Sequence, residues 1–144
     1  MQIEITRLHD DATPPQYQTE HSAGMDLTAV LEAPVTLGPL ERSIIPTGIA
    51  IAVPKGYEAQ VRARSGLSAK HGICLANGIG TIDADYRGEI GVILVNLSNE
   101  PFTVEPGMRV AQLVIAKYER IEWQFVDKLD ETERGKGGYG STGK

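Results

Sequence analysis

Cysteine is nearly missing from this chain. Cys74 is the only one, which excludes an internal disulfide and any zinc site built on paired thiolates. Histidine is scarce too: His9, His21 and His71 have no metal-ligand spacing and read as surface or loop residues. No apolar run approaches a membrane span, and the opening residues MQIEITRLHDD hold no apolar signal segment. Nor is there a basic block. Lys and Arg number 14 against 19 Asp and Glu, a formal charge of -5, which disfavours electrostatic binding to nucleic acid or an anionic membrane. A cytoplasmic location is the expectation. Helical periodicity is almost absent, and there is no internal repeat.

What the chain does have is short strands and many turns. Its 144 residues suit one domain with a real core. YEAQVRAR (57–64) alternates strictly, with Tyr57, Ala59, Val61 and Ala63 on one face and Glu58, Gln60, Arg62 and Arg64 on the other, the pattern of a half-buried strand. IAIAV (49–53), IGVILVNL (90–97), RVAQLVIA (109–116) and RIEWQFV (120–126) are further strand candidates rich in Val and Ile. Turn signals TPP, APVTLGP, VPKG, SNEP and EPG fall between them. This spacing predicts an all-β sandwich or barrel. One short helix is predicted over 65–71, with Ser65 as N-cap and Gly72 as its stop. A β core over 1–126 is followed by a polar, glycine-dense segment, 127–144, expected to be mobile.

Charged and glycine-rich positions gather in five clusters: AGMDL (23–27), ARSGLS (63–68), NGIGTIDADYRGE (77–89), GMRVAQL (107–113) and RGKGGYGSTG (134–143). Gly138 to Lys144 also spells G-x-x-x-x-G-K, the front of a phosphate-binding P-loop. That reading fails on context, because DKLDETERGKGG before it is polar and strandless and no Ser or Thr follows the Lys.

In this order the five clusters resemble the five motifs of the trimeric dUTPases, and they span residues 23 to 143. AGMDL and RSG are weak strings alone, whereas IDADYRGE with a distant RGxGG[FY]GSTG is specific. Three positions depart from the family's usual residues: Ala63 where Pro is common, Ser68 where Ala is common, and Tyr139 where Phe is usual. The resemblance implies jelly-roll-like subunits in a homotrimer with C-terminal arm exchange and shared sites. It also implies hydrolysis of dUTP to dUMP and pyrophosphate with Mg²⁺.

The residues suit that chemistry. Attack of water at the α-phosphorus needs a positioned base and neutralised phosphate charge. By the resemblance Asp83 orients the water, while Tyr86 packs under the deoxyribose and leaves no room for a 2′-hydroxyl. Asn77, Gly80, Thr81 and Ile82 form the uracil slot with Gly91 opposite, where unpaired groups would reject cytosine. Arg64, Ser65, Gly66 and Gln112 receive the triphosphate. Arg134, Ser141 and Thr142 close on the phosphates and Tyr139 stacks on uracil, while the tail's glycines, Gly140 among them, let the backbone wrap around the triphosphate, as a lid. Asp26 either helps hold Mg²⁺ through water, orients a site arginine, or is a plain loop residue; the triphosphate itself carries most of the ion. Asp85 is read as a structural ion pair or turn hydrogen bond, and Arg109 as a solvated strand charge outside the site. Two rivals are weaker. The related dCTP deaminases carry a different third segment and lack this tail, and nothing in the chain marks a catalytically silent dUTP sensor.

Overall fold

The computed structural model describes residues 1–138, and its elements explain the scarcity of helical periodicity. In chain order the strands are β1 (Glu4–Arg7), β2 (Gln16–Tyr17), β3 (Gly24–Thr28), β4 (Val35–Leu37), β5 (Arg42–Pro46), β6 (Ile49–Ala52) and β7 (Tyr57–Ala63). After helix α1 (Ser65–His71) come β8 (Ile73–Leu75), β9 (Gly80–Ile82), β10 (Gly91–Asn96), β11 (Phe102–Val104) and β12 (Arg109–Lys117). Every pairing is antiparallel. The largest sheet runs β2-β3-β12-β7-β9, a second runs β5-β10-β8, and β1-β6 and β11-β4 form two-stranded ribbons. The predicted all-β, jelly-roll-like architecture with one short helix is the one observed.

Alternation decides which face is core. In β7, Ala59 and Val61 point inward and are buried, and they pair with Ile115 and Leu113 of β12. Val92 and Leu94 of β10 do the same from the second sheet, against Ile45 of β5 and Leu75 of β8. One apolar cluster thus fills the space between sheets, and the outer face of the five-stranded sheet is left for polar residues. Two polar side chains enter the core with their bonds made. Asn96 donates to the carbonyls of Leu37 (2.9 Å) and Glu100 (2.7 Å) and accepts from the backbone N–H of Ser98 (2.9 Å). The Thr47 hydroxyl donates to the Ile90 carbonyl at 2.6 Å.

Two local expectations are corrected. Ser65 is not the N-cap of α1; Arg64 holds that position, with extended φ -83° and ψ 123° and no side-chain cap bond. Ser65 is already helical, and the Ser68 hydroxyl donates back to the Arg64 carbonyl instead. Gly72 does end the helix, in the left-handed region at φ 67°. The segment 120–126 is not a strand here. It alternates as expected, but no strand of this chain pairs with it among the described residues, and a strand needs a ladder partner for its backbone groups. Ile121, Trp123 and Phe125 are left exposed, Phe125 at 96%. No helix among the described residues is long and apolar enough to cross a membrane.

Candidate active site

Three adjacent strands carry one polar cluster on the outer face of the five-stranded sheet. Asp26 of β3 is in register with Gln112 of β12, and Gln112 with Arg62 of β7. A register shift in β12 between Arg109 and Ala111 lets the Arg109 side chain reach back to Asp26. The Asp26 side chain is only 5% exposed, so its charge must be matched locally. Arg109 Nη1 donates to Oδ2 at 3.1 Å. Arg64 Nε lies 3.2 Å from Oδ1, close enough for an ion pair, yet Oδ1 has no hydrogen-bond partner. Attraction between the charges survives misalignment, whereas a hydrogen bond does not. Arg64 Nη1 also donates to the Arg109 carbonyl at 3.1 Å. Arg64 is therefore tied at two points where β7 ends, while its side chain stays 26% exposed. Ser65 and Gly66 follow it, both exposed. Gln112 is half-buried against Gly24, where an added Cβ would sit 3.3 Å from Gln112 Oε1.

The second group lies on the sheet's edge. β8 leads through a turn, in which Gly78 takes φ 72°, into β9. Asn77 is exposed at that turn, and Gly80 pairs with Val61 of β7. A Cβ on Gly80 would stand 3.2 Å from Val61 Cβ and 3.3 Å from Asn77 Nδ2, so the glycine permits a close backbone approach. Thr81 faces out in register with Gln60, and Ile82 is buried. Asp83, exposed, begins a turn closed by the Tyr86 N–H on the Asp83 carbonyl at 3.1 Å. The Tyr86 ring is half-exposed and its hydroxyl donates to the Glu89 carbonyl at 2.9 Å. Gly91 opens β10, the strand paired with β8, so it borders the same turn.

These groups are not joined. No hydrogen bond or ion pair among the described residues links the Asp26, Arg64 and Gln112 cluster to the Asn77–Tyr86 segment. A cavity of ≈ 990 Å³ is lined by Asp83, Ala84, Asp85 and Arg87 with Lys55, Tyr118 and Arg120, and it includes none of the first cluster. Arg134 is exposed, its Nε donating to the Gly137 carbonyl at 2.9 Å. Tyr139, Gly140, Ser141 and Thr142 lie outside the described residues.

Two readings change. Arg109 is not a free solvated charge; it neutralises buried Asp26. Its signal was the strand register, which puts the AGMDL and MRVAQL strands side by side and which no local pattern reveals. Asp85 makes no side-chain ion pair or hydrogen bond among the described residues; Arg87 braces that turn, donating to the carbonyls of Ala84 (2.7 Å) and Tyr86 (2.8 Å). No group of three His, Cys, Asp or Glu among the described residues is arranged to hold a metal ion.

Fold and site together define a β-sandwich whose outer face holds two arginines fixed on a buried carboxylate and whose edge presents a carboxylate and an aromatic ring. Comparison with known proteins makes this specific. The family model for dUTPase matches residues 10–143. The chain is 59% identical over 143 residues to the deoxyuridine 5'-triphosphate nucleotidohydrolase of Rickettsia felis, covering 99% of this chain and 97% of that one. Identity to the Rickettsia bellii protein of the same name is 63% over 129 residues, covering 90% and 86%. Among solved structures, the dUTPase of Staphylococcus bacteriophage 80alpha with dUPNHPP superposes with a TM-score of 0.89 at 27% identity, over 99% of this chain and 98% of that one. The chain belongs to the dUTPase family, enzymes that hydrolyse dUTP.

Proposed function

We propose that this chain converts dUTP to dUMP and pyrophosphate, keeping uracil out of DNA and supplying dUMP for dTMP synthesis. The observation that carries the reading is that the dUTPase motif residues gather in two separate groups: an arginine fixed by a buried carboxylate, and a glycine-bracketed turn presenting Asp83 and Tyr86. Each group lacks what the other holds, which supports a homotrimer whose sites form where chains meet. The unpaired, alternating arm at Ile121, Trp123 and Phe125 supports its exchange onto a neighbour.

In this reading the backbone from Asn77 to Ile82 lies along the edge of uracil, with Gly91 bordering the slot, and mirrors its O2, N3–H and O4. The missing side chains at Gly78 and Gly80 allow that approach. Tyr86 blocks a 2′-hydroxyl. Arg64 meets the phosphates with its exposed guanidinium edge, beside Ser65, Gly66 and Gln112, while Asp26 and Arg109 hold it in place. Asp83, exposed and with no cation bound to it among the described residues, accepts a hydrogen bond from the attacking water and orients it in line with the α-phosphorus. Arg134 with Tyr139, Gly140, Ser141 and Thr142 closes over the nucleotide and excludes bulk water.

Mg²⁺ fits as a cation carried mainly by the triphosphate, since both Asp26 oxygens already face arginines and Asp26 would reach the ion only through water. When bound it supplies charge neutralisation along the phosphates.

The test is pyrophosphate release with Mg²⁺ from dUTP, UTP, dTTP and dCTP in parallel. Release from dUTP alone is expected, falling by about 10²–10⁴ in kcat for Asp83→Asn with little change in KM. Tight dUTP binding without turnover, or deoxyuridine products from dCTP, would overturn it.

A further inference from the structure

We propose that Gly88, together with the brace formed by Thr47, Gly48 and Glu89, is a specificity-determining device that fixes the Tyr86 ring and so sets the preference for deoxyribose over ribose. The inference rests on the reading of Tyr86 above and extends it to residues outside the substrate's reach.

Gly88 is not a glycine for backbone reasons. Its φ is outside the left-handed region that Gly48, Gly56, Gly72 and Gly78 occupy. Space decides instead. A Cβ built on Gly88 would stand 2.6 Å from Tyr86 Cζ and 3.0 Å from Cε2, with the hydroxyl oxygen closer still. The ring of Tyr86 therefore lies directly over the Gly88 backbone, in the volume that any side chain at 88 would take. Its outer end is anchored by the bond from its hydroxyl to the Glu89 carbonyl.

The platform beneath the ring is itself fixed to the core. Glu89 Oε1 accepts from the Gly48 N–H at 2.7 Å. The Ile90 N–H donates to the Ile49 carbonyl at 2.9 Å, and the buried Thr47 hydroxyl donates to the Ile90 carbonyl at 2.6 Å. Three bonds over two consecutive residues tie the segment to the β5–β6 turn. That turn in turn needs Gly48, at φ 66°, where a Cβ would meet Ala12 Cβ at 2.8 Å. A half-exposed tyrosine on a loop would otherwise sample several rotamers. Seated on a glycine and tied at its tip, it keeps one. Steric rejection of a single hydroxyl requires that, because a wall that yields by about 1 Å admits the extra oxygen.

Alanine at 88 must push the ring outward by about 1 Å to restore ordinary contact. The measurement is the ratio of kcat/KM for dUTP to that for UTP, in a double-mutant cycle of Gly88→Ala and Tyr86→Ala. Gly88→Ala is expected to lower the ratio by about tenfold or more, and Tyr86→Ala by a similar factor. In the Tyr86→Ala background, Gly88→Ala is expected to change the ratio by less than about twofold, because the clash is gone. Equal effects in both backgrounds would show a backbone role and sink the proposal. If Tyr86→Ala leaves the ratio unchanged, it is the reading of Tyr86 at the sugar that fails, a distinct result. Should Gly88→Ala not fold, Glu89→Ala tests the same device by removing the bond to Gly48. Loss of selectivity with dUTP turnover largely kept supports the brace, and unchanged selectivity overturns it.

Discussion

Asp26→Asn is expected to change sign with its surroundings. In the native chain it removes the charge that holds Arg64 and Arg109 together; in a chain lacking both arginines it removes a buried charge that nothing matches. The Asp26 side chain is 5% exposed, with Arg64 at 3.2 Å and Arg109 at 3.1 Å. Hydrogen bonds to charged groups contribute about 1.5–3 kcal/mol when well formed. The arginines are 26% and 50% exposed and turn to water when released, which discounts the native-background loss to about 1 kcal/mol. Arg64→Met with Arg109→Met strands the carboxylate, and an uncompensated buried charge costs about 3–5 kcal/mol. Adding Asp26→Asn to that double variant is expected to restore about 2 kcal/mol, since a neutral amide is far easier to desolvate. Urea unfolding of the four proteins at fixed concentration and pH 7 measures each value. If Asp26→Asn destabilises both backgrounds alike, the carboxylate is not held by these two cations and the account of the cluster is wrong.

Other parts of the molecule give three further expected outcomes. Asn96→Asp is expected to destabilise by about 3–5 kcal/mol, because it turns a carboxylate oxygen toward the carbonyls of Leu37 and Glu100 in a fully buried site; a loss below about 1 kcal/mol in denaturant unfolding would refute that geometry. Truncation after Glu133 is expected to leave assembly intact and remove most turnover, whereas truncation after Lys117, which also removes Ile121, Trp123 and Phe125, is expected to abolish assembly. Light scattering with a turnover assay separates the two, and full activity without residues 134–144 would reject the lid.

The strands that periodicity found are those whose side chains alternate against a core of their own: 57–63 in β7, and the Val- and Ile-rich runs that became β6, β10 and β12. Short strands such as β2 and β4 escaped it, since two or three residues carry no period. RIEWQFV carries the period, but among the described residues no strand pairs with it, so the expected strand does not form. Ser65 failed as a cap because capping depends on whether a hydroxyl reaches a particular N–H, a matter of backbone geometry.

By itself the sequence determined the β class, the impossibility of an internal disulfide, the family, and the residues that belong to each motif. Those properties are local in composition or spacing, and a string of letters carries them. Only the tertiary structure decided that Arg109 pairs with Asp26, that the Tyr86 ring fills the space a side chain at Gly88 would need, and that the motif residues gather in two separate groups. Each of those depends on strand register and on distances of about 3 Å between residues far apart in the chain, which exist only once the sheets have formed.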